Sequence, residues 1–276
     1  MLAGSDPLRL RWLLNSIEDQ GLAAERFEVL VSHRAEDDAM RALVRSHPLA
    51  AAGALRAAEL PGTPTTAALL NAAWGQARGP AIVFAQARCW APPGWLERCV
   101  ATAARHPGLV VQGSVWSDPA EWRAKLAARH EALRVAPLEP LAGVTNSIWP
   151  REALVRLGGF AEGSPLPEAE LMCRALRDGL GVAAPDLLLY SSPAEIGLGR
   201  SLSLAWRRRH LPPLAARHPG CDGGPGRRLF APSSHPPRGL GGWTRAASRL
   251  PGRMLIGSTE ALALAWGTAK AWGERR

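Results

Sequence analysis

The feature that most constrains this chain is the alternation of amphipathic helices and short apolar strands from the N-terminus to about Val115. The first helix shows it clearly. Asp6 and Pro7 suit its start, and aliphatic residues then recur at i, i+3, i+4 and i+7 from Leu10 to Ile17. The apolar segment "RFEVLVS" follows as a strand. This alternation predicts an α/β domain with a largely parallel sheet, helices on both faces, and a ligand at the carboxyl ends of the strands.

The same pattern continues along most of the chain. Further helices are predicted over residues 36–45, from Thr63 to Gly79, and along "PPGWLERCVATAARHPG", "DPAEWRAKL" and "PLPEAELMCRALRDGLG"; "AIVF", "GLVVQGSV" and "VTNSIW" are predicted strands. After Ser192 the composition shifts to Gly, Pro and Arg. We therefore predict an α/β domain over residues 1–195 and a basic, partly helical extension over residues 196–276, with helices at 201–210 and 254–272.

Charge and hydropathy narrow the classes of protein. The net charge is +9, but lysine occurs only at Lys125 and Lys270, so the excess is almost entirely arginine, as in the proteins of GC-rich genomes. No nucleic-acid motif accompanies this charge, and we expect no nucleic-acid partner. No long apolar run or signal peptide is evident, and no C-x-x-C pair indicates zinc. These features predict a cytoplasmic protein, with peripheral attachment of the C-terminal segment to the inner face of the membrane as an open alternative.

Short motifs follow one another in a fixed order through the α/β domain. The segments are "LLNAAWGQARG", "AIVFAQARCWAPPGWL", "TNSIWPREALVRLGGF" and "PEAELMCR". The polar or charged residues that stand out in them are Asn71, Gln86, Arg88, Asn146, Glu168 and Arg174.

In this order and spacing, the motifs resemble those of the family 2 glycosyltransferases, the inverting enzymes of the GT-A fold, over roughly Leu8 to His210. The resemblance implies a Rossmann-like, mixed and mostly parallel sheet within residues 1–195. It also implies transfer of a sugar, with inversion, from a nucleotide-sugar donor to a glycan, glycolipid or small acceptor. Glu168 stands at the position of the family's general base. Contact with the nucleotide sugar is expected from Asn71, Gln86, Arg88, Asn146, Arg174 and Arg34.

The departures from the family pattern fall where the chemistry occurs. The family's D-x-D segment is Gln86-Ala87-Arg88 here, and its earlier aspartate pair is His33-Arg34. Mg or Mn is usual in the family, but the carboxylate ligands that such hard cations prefer are missing, so we predict no metal. A guanidinium can bind a diphosphate bidentately, so we predict that Arg88 replaces the cation, with Arg34 and the Arg207-Arg208-Arg209 cluster as further candidates. The family's first strand has no counterpart, and we expect the natural start to lie upstream of Met1.

These departures leave a second interpretation open, a catalytically inactive glycosyltransferase-like protein that binds a ligand or a partner. A glutamate in the first turn of a helix, such as Glu168, is favoured by the helix dipole alone. Glu170 and Arg174 are spaced to pair on a helix surface. Aromatic side chains could line a sugar-binding cleft or pack in the core, and the candidates are Trp90, Trp95, Trp116 and Trp149.

Overall fold

The computed structural model of the protein describes residues 6–117, 143–191 and 210. Apart from Ser117 and His210, these residues belong to one compact unit. The helix predicted to open at Asp118 and the extension predicted for residues 196–276 lie outside the described residues, His210 excepted.

Side-chain caps mark where the helices begin. Asp6 accepts hydrogen bonds from the backbone N–H groups of Leu8 and Arg9, at 3.1 and 3.3 Å, and Thr65 accepts one from Ala68 at 3.1 Å. The helix predicted from Thr63 therefore begins three residues later, behind its cap. No described helix is both long enough and apolar enough to cross a membrane. The α-helices of the described residues are α1 (Pro7–Glu18), α2 (Asp38–Ser46), α3 (Pro48–Ala51), α4 (Thr66–Gln76), α5 (Trp95–Arg105), α6 (Arg151–Leu157) and α7 (Pro167–Arg177).

The described strands are β1 (Val29–Arg34), β2 (Leu55–Leu60), β3 (Ala81–Phe84), β4 (Cys89–Trp90), β5 (Val110–Ser117), β6 (Ser147–Pro150) and β7 (Gly181–Ser191). β1 and β2 form a parallel pair, and the others form a five-stranded sheet in the order β3-β6-β5-β7-β4. β6 runs antiparallel to β3 and β5, and β4 runs antiparallel to β7.

The predicted mixed α/β fold is confirmed, but among the pairs with a described direction only β1–β2 is parallel. Helix–strand alternation along the chain does not determine which strands become neighbours in the sheet. β6 comes after β5 in the chain and inserts between β3 and β5, which the alternation could not reveal.

Apolar side chains pack on both faces of the sheets. Along β1, Val29 belongs to one core cluster, which includes Leu10 of α1, and Leu30 belongs to a second, which includes Leu70 of α4. Adjacent strand residues point to opposite faces, so the two clusters lie on opposite sides of the strands. Helices thus cover both faces, as the sequence predicts.

His47 joins α1 to α3 through a buried imidazole. Its Nδ1 accepts the backbone N–H of Leu49 at 3.3 Å, and its Nε2 lies 3.0 Å from Oδ1 of Asn15. These contacts match the neutral ring with its proton on Nε2. Burial lowers the pKa of His47 below its usual 6.5; the carboxylate of Glu18 opposes this shift, and the charge of Arg11 reinforces it. The fold therefore favours the neutral imidazole.

We expect protonation of His47 to lower the stability of the protein at acidic pH. As the pH falls below about 6.5, the unfolded chain binds a proton on this ring before the folded chain does, so the free energy of unfolding decreases. His47→Asn keeps a capping oxygen for α3 but cannot titrate in this range. Thermal unfolding between pH 7.5 and 5.5 should therefore show a smaller loss of Tm in the variant than in the parent. Equal losses in the two proteins would rule out a contribution from this ring.

Candidate functional site

Two loops leave the five-stranded sheet at the same end. β3 ends at Phe84, which pairs with Ser147 at the start of the antiparallel β6. The backbone N–H of Asn146 donates to the carbonyl of Phe84 at 2.8 Å. Residues 85–88 after β3 and residues 143–146 before β6 are therefore neighbours at this end. We call it the site end of the sheet, marked by Phe84 and Ser147.

The loop of residues 85–88 carries the segment Gln86-Ala87-Arg88. The backbone carbonyl of Gln86 accepts the N–H of Cys89 at 2.9 Å, which closes a turn. Ala87 is buried, whereas Gln86 and Arg88 are half-buried, and Nε of Arg88 donates to Oε1 of Gln86 at 2.9 Å. The turn thus presents an amide and a guanidinium held against each other.

This loop does not fit a divalent cation. Mg and Mn prefer carboxylate oxygens, and a guanidinium would repel either ion. In residues 6–117 and 143–191, no three histidine, cysteine, aspartate or glutamate side chains are grouped so as to hold a metal. The hydrogen-bond donors of Gln86 and Arg88 can instead bind an anion.

The described cysteines are core side chains. Cys89, Cys99 and Cys173 are all buried. Burial raises the pKa of Cys89, against opposing effects of the Arg88 charge and of hydrogen bonds, and raises the pKa of Cys99 to about 12. Both thiols therefore stay protonated and contribute packing, not a reactive thiolate.

Glu168 lies in the first turn of α7 and reaches the other loop of the site end. Its Oε2 accepts the backbone N–H of Val144 at 3.3 Å, and the side chain is half-buried. Through the pairing of β3 with β6, the glutamate and the loop of residues 85–88 are attached to the same end of the sheet. A carboxylate held by a backbone N–H in this position is able to accept a proton from a bound hydroxyl group.

Asn146 joins the strands behind the site end. Its Nδ2 donates to the carbonyls of Ser114 and Leu187, at 2.6 and 2.8 Å, and its Oδ1 accepts Nε1 of Trp95 at 3.1 Å. The residue is 0% exposed and has a φ of 57°, in the left-handed region. These contacts give it a scaffolding role, and its contact with a nucleotide sugar stays a prediction.

Asn71 holds the turn that follows α6. Its Nδ2 donates to the carbonyl of Phe160 at 2.8 Å, and its Oδ1 accepts the N–H of the same residue at 2.9 Å. The ring of Phe160 packs edge-on against Phe84, with centroids 5.3 Å apart. The side chain of Asn71 is thereby linked to the end of β3, and its predicted ligand contact remains untested.

Arg174 holds the same turn from α7. It donates to the carbonyls of Leu157 and Gly159, the latter at 2.6 Å, and forms a bidentate pair with Glu170 at 2.8 and 2.6 Å. The sequence placed Asn71 and Arg174 in separate motifs, and the structure brings both to one turn. A ligand contact of Arg174 stays a prediction.

Arg34 stands apart from these contacts. It is exposed at the end of β1, within the two-stranded sheet. The preceding His33 is 2% exposed, with its Nδ1 2.8 Å from the carbonyl of Arg34 and its Nε2 3.9 Å from Glu59. Arg34 therefore belongs to a different sheet from β3 and β6.

Among the candidate tryptophans, Trp95 and Trp149 are buried in the core. Trp90 stacks on Tyr190, the residue opposite it in the β4–β7 pair, with ring centroids 5.5 Å apart. The side chain of Trp116 lies outside the description. The sequence did not indicate Tyr190 as the partner of Trp90. It also did not single out Gly143, in the loop of residues 143–146, or Gln112, which donates to the carbonyl of Gly143.

The family model described as "Glycosyl transferase family 2" matches residues 7–161, more than half of the chain. The matched range contains both loops of the site end. α7, with Glu168, follows it. No curated protein matches the chain in sequence.

Solved structures share the fold. One is the mannosyltransferase PcManGT from Pyrobaculum calidifontis in complex with GDP-Man and Mn2+, with a TM-score of 0.58 and 20% identity over 97% of this chain and 74% of that one. Another is S. aureus TarS 1-349 in complex with UDP-GlcNAc, with a TM-score of 0.55 and 13% identity over 98% of this chain and 86% of that one. At these identities the similarity establishes the architecture alone.

We expect the free energy of unfolding to fall when the contacts of Arg174 with the turn after α6 are removed. Arg174→Lys keeps the charge but cannot pair with Glu170 and reach two carbonyls together, so we expect unfolding to become easier by about 1–3 kcal/mol. Arg177→Lys is the matched control on the same helix, because Arg177 is exposed; there we expect a change within about 0.5 kcal/mol. Urea unfolding measures both. Equal effects would contradict the role given to Arg174.

Proposed function

This chain belongs to glycosyl transferase family 2 and has its GT-A-like fold, and from that premise we propose that it transfers a sugar, with inversion, from a nucleotide-sugar donor to a glycan, glycolipid or small acceptor. The observation that carries the proposal is the placement of Glu168 and Arg88 at one end of the same sheet, through Val144 and the β3–β6 pair. In this proposal Glu168 is the base and Arg88 the cation of one site.

The proposed reaction needs one proton transfer and one displacement. The acceptor hydroxyl attacks the anomeric carbon from the face opposite the diphosphate, so the new C–O bond forms as the bond to the diphosphate breaks and the configuration inverts. Glu168 takes the hydroxyl proton as the bond forms. The diphosphate leaves with the bonding electron pair, and the developing negative charge must be stabilised.

In this proposal the stabilising charge comes from Arg88. The segment at residues 86–88 does not suit a divalent cation, whereas a guanidinium presents several N–H donors to phosphate oxygens. The hydrogen bond from Nε of Arg88 to Gln86 orients the guanidinium plane. The other proposed contacts with the donor are the predicted ones, made by Gln86, Arg34, Asn71, Asn146 and Arg174.

The donor class has support from the structural neighbours, which are in complex with GDP-Man and with UDP-GlcNAc. For the acceptor, the basic run Arg207-Arg208-Arg209 in the C-terminal part of the sequence favours a lipid-linked or cell-envelope glycan. Basic residues are attracted to the anionic cytoplasmic face of a membrane. We therefore propose a cytoplasmic protein that meets its acceptor at that face.

A second candidate function is a non-catalytic nucleotide-sugar-binding protein. The observation that favours it is the pairing of Gln86 with Arg88 in a loop without carboxylates. It shares donor binding with the first candidate and differs in lacking turnover.

Removing the proposed base separates the two candidates. We expect Glu168→Gln to lower kcat by about 10²- to 10⁴-fold, because a positioned general base contributes a factor of that size. Donor binding should persist. The control is Glu152→Gln, which neutralises an exposed glutamate in the first turn of α6 and should leave kcat unchanged. The measurement is release of nucleoside diphosphate from UDP-GlcNAc or GDP-Man. A parent protein that binds both donors but turns over neither would establish the second candidate.

Donor binding should resist chelation and depend on Arg88. We expect the Kd for UDP-GlcNAc or GDP-Man, measured by calorimetry, to be the same with and without EDTA. Arg88→Gln should weaken binding about 10- to 100-fold, as loss of a hydrogen bond between charged groups implies. Arg98→Gln removes an exposed arginine of α5 and serves as the matched control. Binding that disappears in EDTA would exclude replacement of the cation by Arg88.

A further inference from the structure

One peptide unit of the site end is held from both of its polar groups. Its N–H, from Val144, donates to Oε2 of Glu168 at 3.3 Å. Its carbonyl, from Gly143, accepts Nε2 of Gln112 at 3.4 Å. Gln112 lies in β5 and is 1% exposed. The buried side chain of Gln112 therefore holds the carbonyl oxygen of the peptide whose N–H donates to Glu168.

Gly143 makes this approach possible. It has a φ of 65°, in the region that favours glycine, and a Cβ built there would lie 2.3 Å from Oε2 of Glu168. That separation is far inside van der Waals contact, so any side chain at this position must displace the carboxylate or the peptide.

The peptide has little freedom to move in response. The carbonyl of Val144 accepts both the N–H of Ser147, at 3.1 Å, and its hydroxyl. Two residues after Val144 in the chain, Asn146 is fixed to the strands on either side. Displacement would therefore fall mainly on the glutamate side chain, which extends from the first turn of α7.

We propose that the Gly143–Val144 peptide positions the proposed general base, and that Gly143 and Gln112 are positioning residues of the transfer reaction. The inference rests on the proposed function, in which Glu168 removes the acceptor proton. A general base acts only within hydrogen-bond reach of the proton it removes, so a carboxylate held against a rigid peptide is already oriented for this step.

The contact itself is tested by unfolding, without reference to activity. Gly179 is the matched glycine, because its φ is 68° and a Cβ there would meet nothing within 4 Å. We expect Gly143→Ala to lower the urea midpoint clearly more than Gly179→Ala. In a Glu168→Ala background the clash is removed, and the two glycine substitutions should then cost the same. Equal costs in the parent background would overturn the proposal.

The catalytic consequence is tested with UDP-GlcNAc and GDP-Man as donors. Gly143→Ala should lower kcat about 10-fold or more while the donor KM stays within about twofold, since the base is misplaced but donor binding is retained. Gln112→Met should shift kcat in the same direction, and Gly179→Ala should change neither constant. A parent that turns over neither donor counts against the proposed function, while the unfolding cycle still decides the contact. If Glu168→Gln is inactive but Gly143→Ala keeps its kcat, the proposed function stands and the positioning role is wrong.

Discussion

The buried amide of Asn146 is the interaction on which the rest of the structure depends. The side-chain amide donates to one carbonyl of β5 and one of β7 and accepts the indole N–H of Trp95. The backbone N–H of Asn146 donates to the carbonyl of Phe84 at the end of β3. Loss of the amide would remove these three side-chain hydrogen bonds from a buried site, which is costly in a dry interior. Because the loop of residues 143–146 ends at this residue, the geometry of the site end is set by the core beneath it.

Motifs that are distant in sequence converge behind the same surface. Asn71 from α4 and Arg174 from α7 both hold the turn at residues 157–160. Phe160, in that turn, packs on Phe84, the last residue before the loop of residues 85–88. Much of the family pattern in this chain therefore maintains a scaffold, and the proposed chemistry falls to a few groups at its rim.

The sequence predicted features that depend on near neighbours. The cap at Asp6 involves atoms at most three residues away, and the helix of Glu168 follows from a proline and an apolar period. The motifs resemble those of the family 2 glycosyltransferases, and the family and the mixed α/β fold that the resemblance implies are both confirmed.

Features that depend on distant partners could not be predicted in this way. The insertion of β6 between β3 and β5 is a matter of tertiary pairing, and composition does not encode it. The hydrogen bond between Val144 and Glu168 spans 24 residues. No local signal marks Gly143 as a glycine required by a distant carboxylate, because its φ and its neighbour become visible only once the chain has folded.

The pairing of Gln86 with Arg88 has a consequence for the source of positive charge at this end of the sheet. A divalent ion has to be recruited from its surroundings, and other metalloproteins compete for it. A guanidinium is synthesised with the polypeptide and is present in every copy from the moment of folding. The positive charge at this end of the sheet is thus encoded in the polypeptide and does not depend on the concentration of divalent ions in the cell.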